Sequence, residues 1–314
     1  MILNNDNTFG IELETVMSPD SLNRNNWTVG EYHRGWVIPE DSPEHNHGDG
    51  WKTMYDGSIL SHGHGRGVEV VSPVLRGSDG IAKVEAMVAR LKGMDARVNR
   101  STGMHVHIGW NGNATQLRRL ISLVSHHEKA LYAATGTPNR EGNTYAGSIK
   151  VRMKPFENMK SIRELSRNHH NRYQSLNLQN LIDGTRPTVE FRMFAGTLNI
   201  TKVKAYIQLA LALVQKAMSP APKVKWDRPL NASSSNDTGS SAMTAMLATL
   251  GWNKSVLNET EWRTWTPEST ATNPSPEVRT RTPRKTLGML RGNEMTSMVK
   301  VLKRMAKKYD GSRS

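Results

Sequence analysis

Four short segments of this chain place ionisable side chains at alternate positions between apolar ones. Thr188-Val-Glu-Phe-Arg-Met-Phe194 is the fullest case. A strand turns successive side chains to opposite faces, which sends Val189, Phe191 and Met193 one way and Glu190, Arg192 and Phe194 the other. Phe9-Gly-Ile-Glu-Leu-Glu-Thr-Val16 puts Ile11 and Leu13 on one face and Glu12 and Glu14 on the other. Those two carboxylates then stand about 7 Å apart along the strand, at ~3.3 Å of rise per residue. Gly67-Val-Glu-Val-Val-Ser-Pro73 contributes Glu69, and Met104-His-Val-His-Ile108 sets His105 and His107 on a common face. Any one of these is accounted for as a half-buried strand with an ion pair on its wet side. Four in one chain predict an α+β fold whose strands pool their acids and imidazoles over an apolar layer.

Helical periodicity fills the intervals between strands. Ser78 and Asp79 open an amphipathic run carrying Ile81, Val84, Met87, Val88 and Leu91. Asn113 is placed to cap a helix with Leu117, Leu120, Ile121, Val124 and Leu131, and a third helix carries Val203 to Val214. The polar stretch 18–52 is too long for an idle connection and is expected to be a lid or substrate-facing loop. Trp51–Tyr55 and Ser58–Leu60 flank Asp56-Gly57 and predict a hairpin, with His62 and His64 in a glycine-rich tip. A short helix is expected near 161–167, and Asp183-Gly184 marks a turn.

Past Pro220 the composition shifts to Pro, Ser, Thr and Asn. The expected organisation is a catalytic domain at 1–218, a linker with one short helix at 219–286, and a basic amphipathic helix at 287–314 capped by Asn293. Its apolar stripe is Met295, Met298, Val299, Leu302, Met305 and Ala306, and its remaining surface is lysine and arginine, open to an acidic partner.

Lys plus Arg is 42 and Asp plus Glu is 28, so the chain carries 42 − 28 = +14 at neutral pH. Such a surface attracts nucleotides, nucleic acids or anionic polymers without choosing among them. With no cysteine, thiolate chemistry and a disulfide framework are excluded. No window has the length and apolarity of a membrane span and no secretory signal is evident, so the expected location is cytoplasmic.

Pooled on one sheet, Glu12, Glu14, Glu69 and Glu190 would repel each other unless cations neutralise them. Oxygen-rich donor sets of this kind suit Mg²⁺ or Mn²⁺. Arg192 among acids makes sense where a phosphoryl group is steadied in transfer. The segments Phe-Gly-Ile-Glu-Leu-Glu, Asp-Gly-Ser-Ile with Val-Glu-Val-Val-Ser-Pro, Thr-Gly-Met-His-Val-His-Ile-Gly, Arg-Tyr-Gln-Ser-Leu-Asn-Leu and Thr-Val-Glu-Phe-Arg-Met-Phe-Ala-Gly-Thr-Leu come in this order over residues 8–215. The series resembles the amidoligases, relatives of glutamine synthetase and the glutamate–cysteine ligases.

That resemblance implies a curved, mostly antiparallel sheet flanked by helices, a glutamine synthetase-like core. It also implies ATP held through Mg²⁺ or Mn²⁺, a carboxylate activated as an acyl phosphate, and an amine that attacks to give an amide. Carried across, Glu12, Glu14, Glu69 and Glu190 are metal ligands, and His105 or His107 contacts metal or phosphate, both being candidate catalytic residues. Arg192 stabilises the phosphoryl group and contacts the nucleotide, as do Arg172 and Asn177. The amine or carboxylate substrate could be part of a peptide or protein, and sites of this kind can be shared between subunits of a homo-oligomer.

Two other readings compete. A nucleic-acid-binding protein would use the positive charge, but no aromatic–basic strand motif accompanies the eight tryptophans. A zinc hydrolase would use the His-x-His pair, but no second zinc motif supports it. Elsewhere, His126, His127, His169 and His170 read as helix-surface or loop residues, and the methionine stripes as core packing.

Overall fold

The strand from Thr8 to Met17 (β1) has neighbours on both sides, and the rest of the sheet is laid out from it. In the computed structural model it pairs with β4 (Arg66–Val71) on one edge and β6 (Gly103–Gly109) on the other. Outward from β4 lie β3 (Lys52–Tyr55) and β2 (Trp36–Val37). Outward from β6 lie β8 (Thr188–Ala195) and β7 (Leu176–Asn177), while β5 (Leu75–Arg76) pairs with the start of β1. The order is β2-β3-β4-β1-β6-β8-β7, and every pairing between these strands is antiparallel. The structure describes residues 7–32, 34–38, 50–61, 63, 65–149, 159–164, 171–184, 186–219, 238–252 and 292–313. The expected α+β architecture with an antiparallel sheet flanked by helices is what forms, and the sheet is open.

Register decides which side chains meet. Glu14 stands opposite Glu69, Glu12 opposite His105, and His107 opposite both Gly10 and Glu190. Directly opposed residues project from the same face, so the four ionisable segments share one surface. The other face carries Ile11, Leu13, Val68, Val70, Met104, Val106, Ile108, Val189 and Phe191, all buried. The helices α2 (Gly77–Gly93), α3 (Ala114–Ala133) and α5 (Ile200–Met218) share that apolar core. The Asn113 cap is present as a full capping box with Gln116, and Asn199 caps α5.

Strict alternation fails at one point. The β6–β8 register shifts between Met104 and Val106, so β8 carries an extra residue between Phe191 and Phe194. This β-bulge turns Phe194 to the apolar side, where it is fully buried and stacks on Tyr206 of α5 at 4.4 Å. Phe194 therefore does not share a face with Glu190 and Arg192.

Other expectations change locally. Within 18–52, Ser18 caps the helix α1 (Pro19–Arg24), and Leu22, Trp27 and Ile38 are buried, so the described part is packed structure. A serine cap followed by proline at the first helical turn sufficed despite the polar composition; residues 39–49 lie outside the described set. The strand at 52–55 pairs with β4 and not with 58–60, where Asp56 folds back to accept a bond from Ser58 N and Ile59 is buried. His62, His64, His169 and His170 lie outside the described residues, and of 161–167 only a 3-10 turn at 162–164 lies within them. A short helix, α4 (Gln179–Asp183), ends at Gly184, whose φ of 67° is the left-handed value a glycine tolerates.

The C-terminal segments join the same core. In α6 (Gly239–Thr249) and α7 (Gly292–Gly311), Met243, Met246, Leu247, Met295, Met298, Leu302 and Tyr309 are buried in the cluster that holds α3 and α5. Asp310 of α7 accepts bonds from Gly239 N, Ser240 N and Ser240 Oγ at 2.5, 3.0 and 2.6 Å, fastening the start of α6. Lys204 of α5 bonds Glu294 of α7 at 2.8 Å. Lys300, Lys303, Arg304, Lys307 and Lys308 remain exposed. Residues 292–311, within the separate basic helix expected at 287–314, thus pack into the same core as α3 and α5. No helix among the described residues is long and apolar enough to cross a membrane.

Candidate active site

The centre of the polar face is His105, held among three carboxylates. Its Nδ1 lies 2.7 Å from Glu12 Oε2 and 3.5 Å from Glu190 Oε1. Its Nε2 lies 3.3 Å from Glu14 Oε1 but without hydrogen-bond geometry, so that buried nitrogen has no hydrogen-bond partner. His107 Nε2 bonds the other oxygen of Glu12 at 2.9 Å. Arg192 Nη1 donates to Glu190 Oε1 at 2.5 Å, and Asn177 Nδ2 of the neighbouring β7 donates to Glu190 Oε2 at 2.5 Å. Period-two spacing on β8 makes the first of these contacts, and strand pairing makes the second.

Backing comes from loops on the polar side. Glu14 Oε2 accepts from Gly103 N at 2.5 Å. A Cβ at Gly103 would stand 2.9 Å from the Arg140 guanidinium, so glycine lets that arginine close on the strand. Arg140 is buried, and its Nη2 donates to Arg192 O at 2.8 Å. Arg192 Nε donates to Tyr145 O at 3.2 Å. Glu128 of α3 accepts from Ser148 Oγ, Ser175 Oγ and Ile149 N at 2.5, 2.5 and 2.9 Å. Ser175 O in turn accepts from Arg192 N at 2.8 Å, so a buried carboxylate beneath the sheet fixes the edge beside the arginine.

The charges divide unevenly. Burial alone would raise the Glu12 carboxyl, but the His107 charge and hydrogen bonds from both histidines outweigh it and hold Glu12 well below the usual carboxylate range. Glu190 is lowered in the same way, against burial, by His107 and Arg192. Glu69 has no such partner: burial, then Glu12, Glu14 and Asp56, push it well above the ordinary value. His107, despite burial, is raised to about 9 by Glu12 and Glu190. The face is a set of carboxylates short of positive charge at Glu69 and stabilised elsewhere by protons on imidazole.

Two overlapping groups of donor atoms could hold cations, Glu12–His105–Glu190 and Glu14–Glu69–His105, each with all atoms within 4.8 Å of one another. Oxygen-rich donors with one imidazole fit Mg²⁺ or Mn²⁺, and a cation between Glu14 and Glu69 would relieve the repulsion that raises Glu69. The partnerless His105 Nε2 belongs to that second group and is available to such an ion.

Eight of the nine residues singled out from sequence converge here: Glu12, Glu14, Glu69, Glu190, His105, His107, Arg192 and Asn177. Both ends of the Asn177 amide are engaged, Nδ2 by Glu190 and Oδ1 by Gln179 N. Arg172 stands apart, exposed over the Tyr173 ring at 5.5 Å. Sequence reasoning missed Arg140, Tyr145 and Asp56, which sit in irregular segments with no periodicity to reveal a facing direction. His127 was misplaced as well: it is buried on α3 and held down to about 3 by burial and by His126.

A family model described as "putative amidoligase enzyme" matches residues 5–214. The chain belongs to the amidoligase family. No curated protein matches it. The amidoligase match takes in every strand of the site and ends inside α5, leaving α6 and α7 outside. Membership assigns the chain to ligase-type amide-bond chemistry.

Proposed function

We propose that this amidoligase joins a carboxylate to an amine at the expense of ATP, through an acyl phosphate, with Mg²⁺ or Mn²⁺ as cofactor. The observation that carries the reading is the shared His105 between two carboxylate groups, with Arg192 beside them. Glu12, Glu14, Glu69, Glu190 and His105 would hold the metal. When bound, the metal neutralises the carboxylates and the phosphate oxygens so that both can occupy one site. Arg192, fixed by Glu190 and Tyr145 O, presents its guanidinium edge to the phosphoryl group as charge develops on it. Arg140 supports it from behind by fixing the Arg192 carbonyl. His107 keeps the Glu12 carboxylate ionised and oriented. Asn177 does the same for Glu190.

The test is thermal unfolding with ATP, with Mg²⁺ and with both, on wild type, Glu190→Gln and Arg192→Ala. A ligand confined to the folded state stabilises it by about 2.7 kcal/mol at a hundredfold excess over Kd. Wild type should shift only with both ligands, and Glu190→Gln should lose the shift. Arg192→Ala should keep much of it while ADP formation falls about a thousandfold, the scale of an arginine that acts on the transferred phosphoryl group. No shift in wild type, or unimpaired ADP formation in both variants, refutes the reading.

A further inference from the structure

A cleft open to solvent lies beside the carboxylate cluster, at the end of the sheet where β1 begins. Its floor is Gly10, and Glu12 and His107 form its inner end. Val71, Pro73 and Val74 line its side, and Arg186 stands at the mouth. Arg192, Glu14 and Glu69 do not line it, so the cleft meets the site at the Glu12 corner and not at the phosphoryl-handling arginine. We infer that this cleft is the amine subsite, and that the amine it takes carries its own anionic group, as a free amino acid does; the inference rests on the ligase reading.

Three observations carry this. The inner end offers a partly open carboxylate: the Glu12 side chain keeps 22% of its surface exposed, with one oxygen bonded by His105 and the other by His107. An ammonium is the group that complements a partly exposed carboxylate. The mouth is cationic. Arg186 is exposed and its side chain makes no hydrogen bond or ion pair among the described residues, leaving its guanidinium for an incoming anion. The floor is open because Gly10 has no side chain. A Cβ there would meet Ser72 Oγ at 3.5 Å and His107 Cβ at 3.9 Å, ordinary contact distances, so no crowding of the strand requires glycine. What the glycine does is keep space above the sheet.

The dimensions agree with a small bifunctional ligand. Thr8, on the outer row of the cleft, lies four residues from Glu12, about 13 Å along the strand. Arg186 also lines the cleft. An amino acid or short peptide fits between, with its apolar side against Val71, Pro73 and Val74. A polyamine would put a second cation against Arg186.

The experiment uses the full chain with Mg²⁺ and a non-hydrolysable ATP analogue, followed by thermal unfolding. The nucleotide shift is read first; its absence overturns the ligase reading itself. With that shift in place, the twenty free amino acids are added singly, beside isoamylamine, putrescine, N-acetyl-leucine and glutarate. The expected result is a further shift from one or more amino acids that is absent with every amine lacking a carboxylate and every carboxylate lacking a free amine. Arg186→Glu should weaken that binding about tenfold or more, the scale of a lost charge-assisted contact. Gly10→Ala should weaken it by filling the floor. A nucleotide shift with no amino-acid response overturns the inference, as does an equal response to isoamylamine or putrescine. A response to glutarate in place of the amino acids would assign the cleft to the carboxylate substrate and also overturn it.

Discussion

Protons and Mg²⁺ compete for the same carboxylates, and the competition has a size. In the metal-free protein His107 carries a proton up to about pH 9 because Glu12 and Glu190 face it. A dication drawn to Glu12 and Glu190 takes over those charges, so the proton on His107 loses what holds it. Binding Mg²⁺ below that pH therefore releases close to one proton from His107, with a further contribution from Glu69, whose raised carboxyl must also ionise. The affinity should rise about tenfold per pH unit, or about thirtyfold between about pH 7 and about pH 8.5, equivalent to ~2 kcal/mol. Titration calorimetry with Mg²⁺ in two buffers of different ionisation heat counts the protons directly. His107→Gln leaves both groups of donor atoms complete and should reduce the dependence over that range to the part that Glu69 supplies. Mg²⁺ binding that is equally tight at both pH values, with heats independent of buffer, would refute the linkage. The same sign governs the metal-free fold: the His107–Glu12 pair stabilises it fully below about pH 6.5, and that contribution is lost as pH rises through about 9.

Two further outcomes concern stability. His127, held down to about 3 on α3, keeps its full contribution above pH 6.5 and loses it as pH falls, because the unfolded chain takes up the proton first. By about pH 5 the loss is ~2 kcal/mol; urea unfolding of wild type and His127→Met at both pH values should show it in wild type alone, and equal losses would refute it. Removing residues 292–314 strips Met295, Met298, Leu302 and Tyr309 from the core. At ~2 kcal/mol per side chain the cost is about 8 kcal/mol, comparable with the whole stability of a domain. Calorimetry should find the shortened chain largely unfolded at temperatures where wild type is folded, and an unchanged melting temperature would sink that argument.

The ionisable strands were legible because period-two alternation is a property of the backbone. Once Glu12, Glu69, His105 and Glu190 each have apolar residues on the opposite face, burial of that face fixes which way each strand turns. The bulge was not legible, since Met193 and Phe194 are both apolar and nothing in their order says which residue is the extra one. Arg140 was hidden for a different reason. Its role depends on a glycine 37 positions earlier leaving room for a guanidinium, a condition set by tertiary approach and not by local pattern. The stripe of α7 was correctly read as an apolar face, but sequence offers no means of telling what covers it. In α1, a cap and a proline outweighed a composition that argued for loop.

The packing of α7 on α5 also has a consequence in time. Every strand of the site lies before residue 196, yet the helix that covers α5 starts at Gly292, 292 − 218 = 74 residues after α5 ends at Met218. At ~5–20 residues per second of synthesis, α5 leaves the ribosome several seconds before its cover exists. During that interval the sheet can pair and α5 can pack on it, but the part of α5 that α7 covers stays in water. The ligase face and the molecule's resistance to aggregation are thus completed at different moments, and a stalled ribosome would release the first without the second.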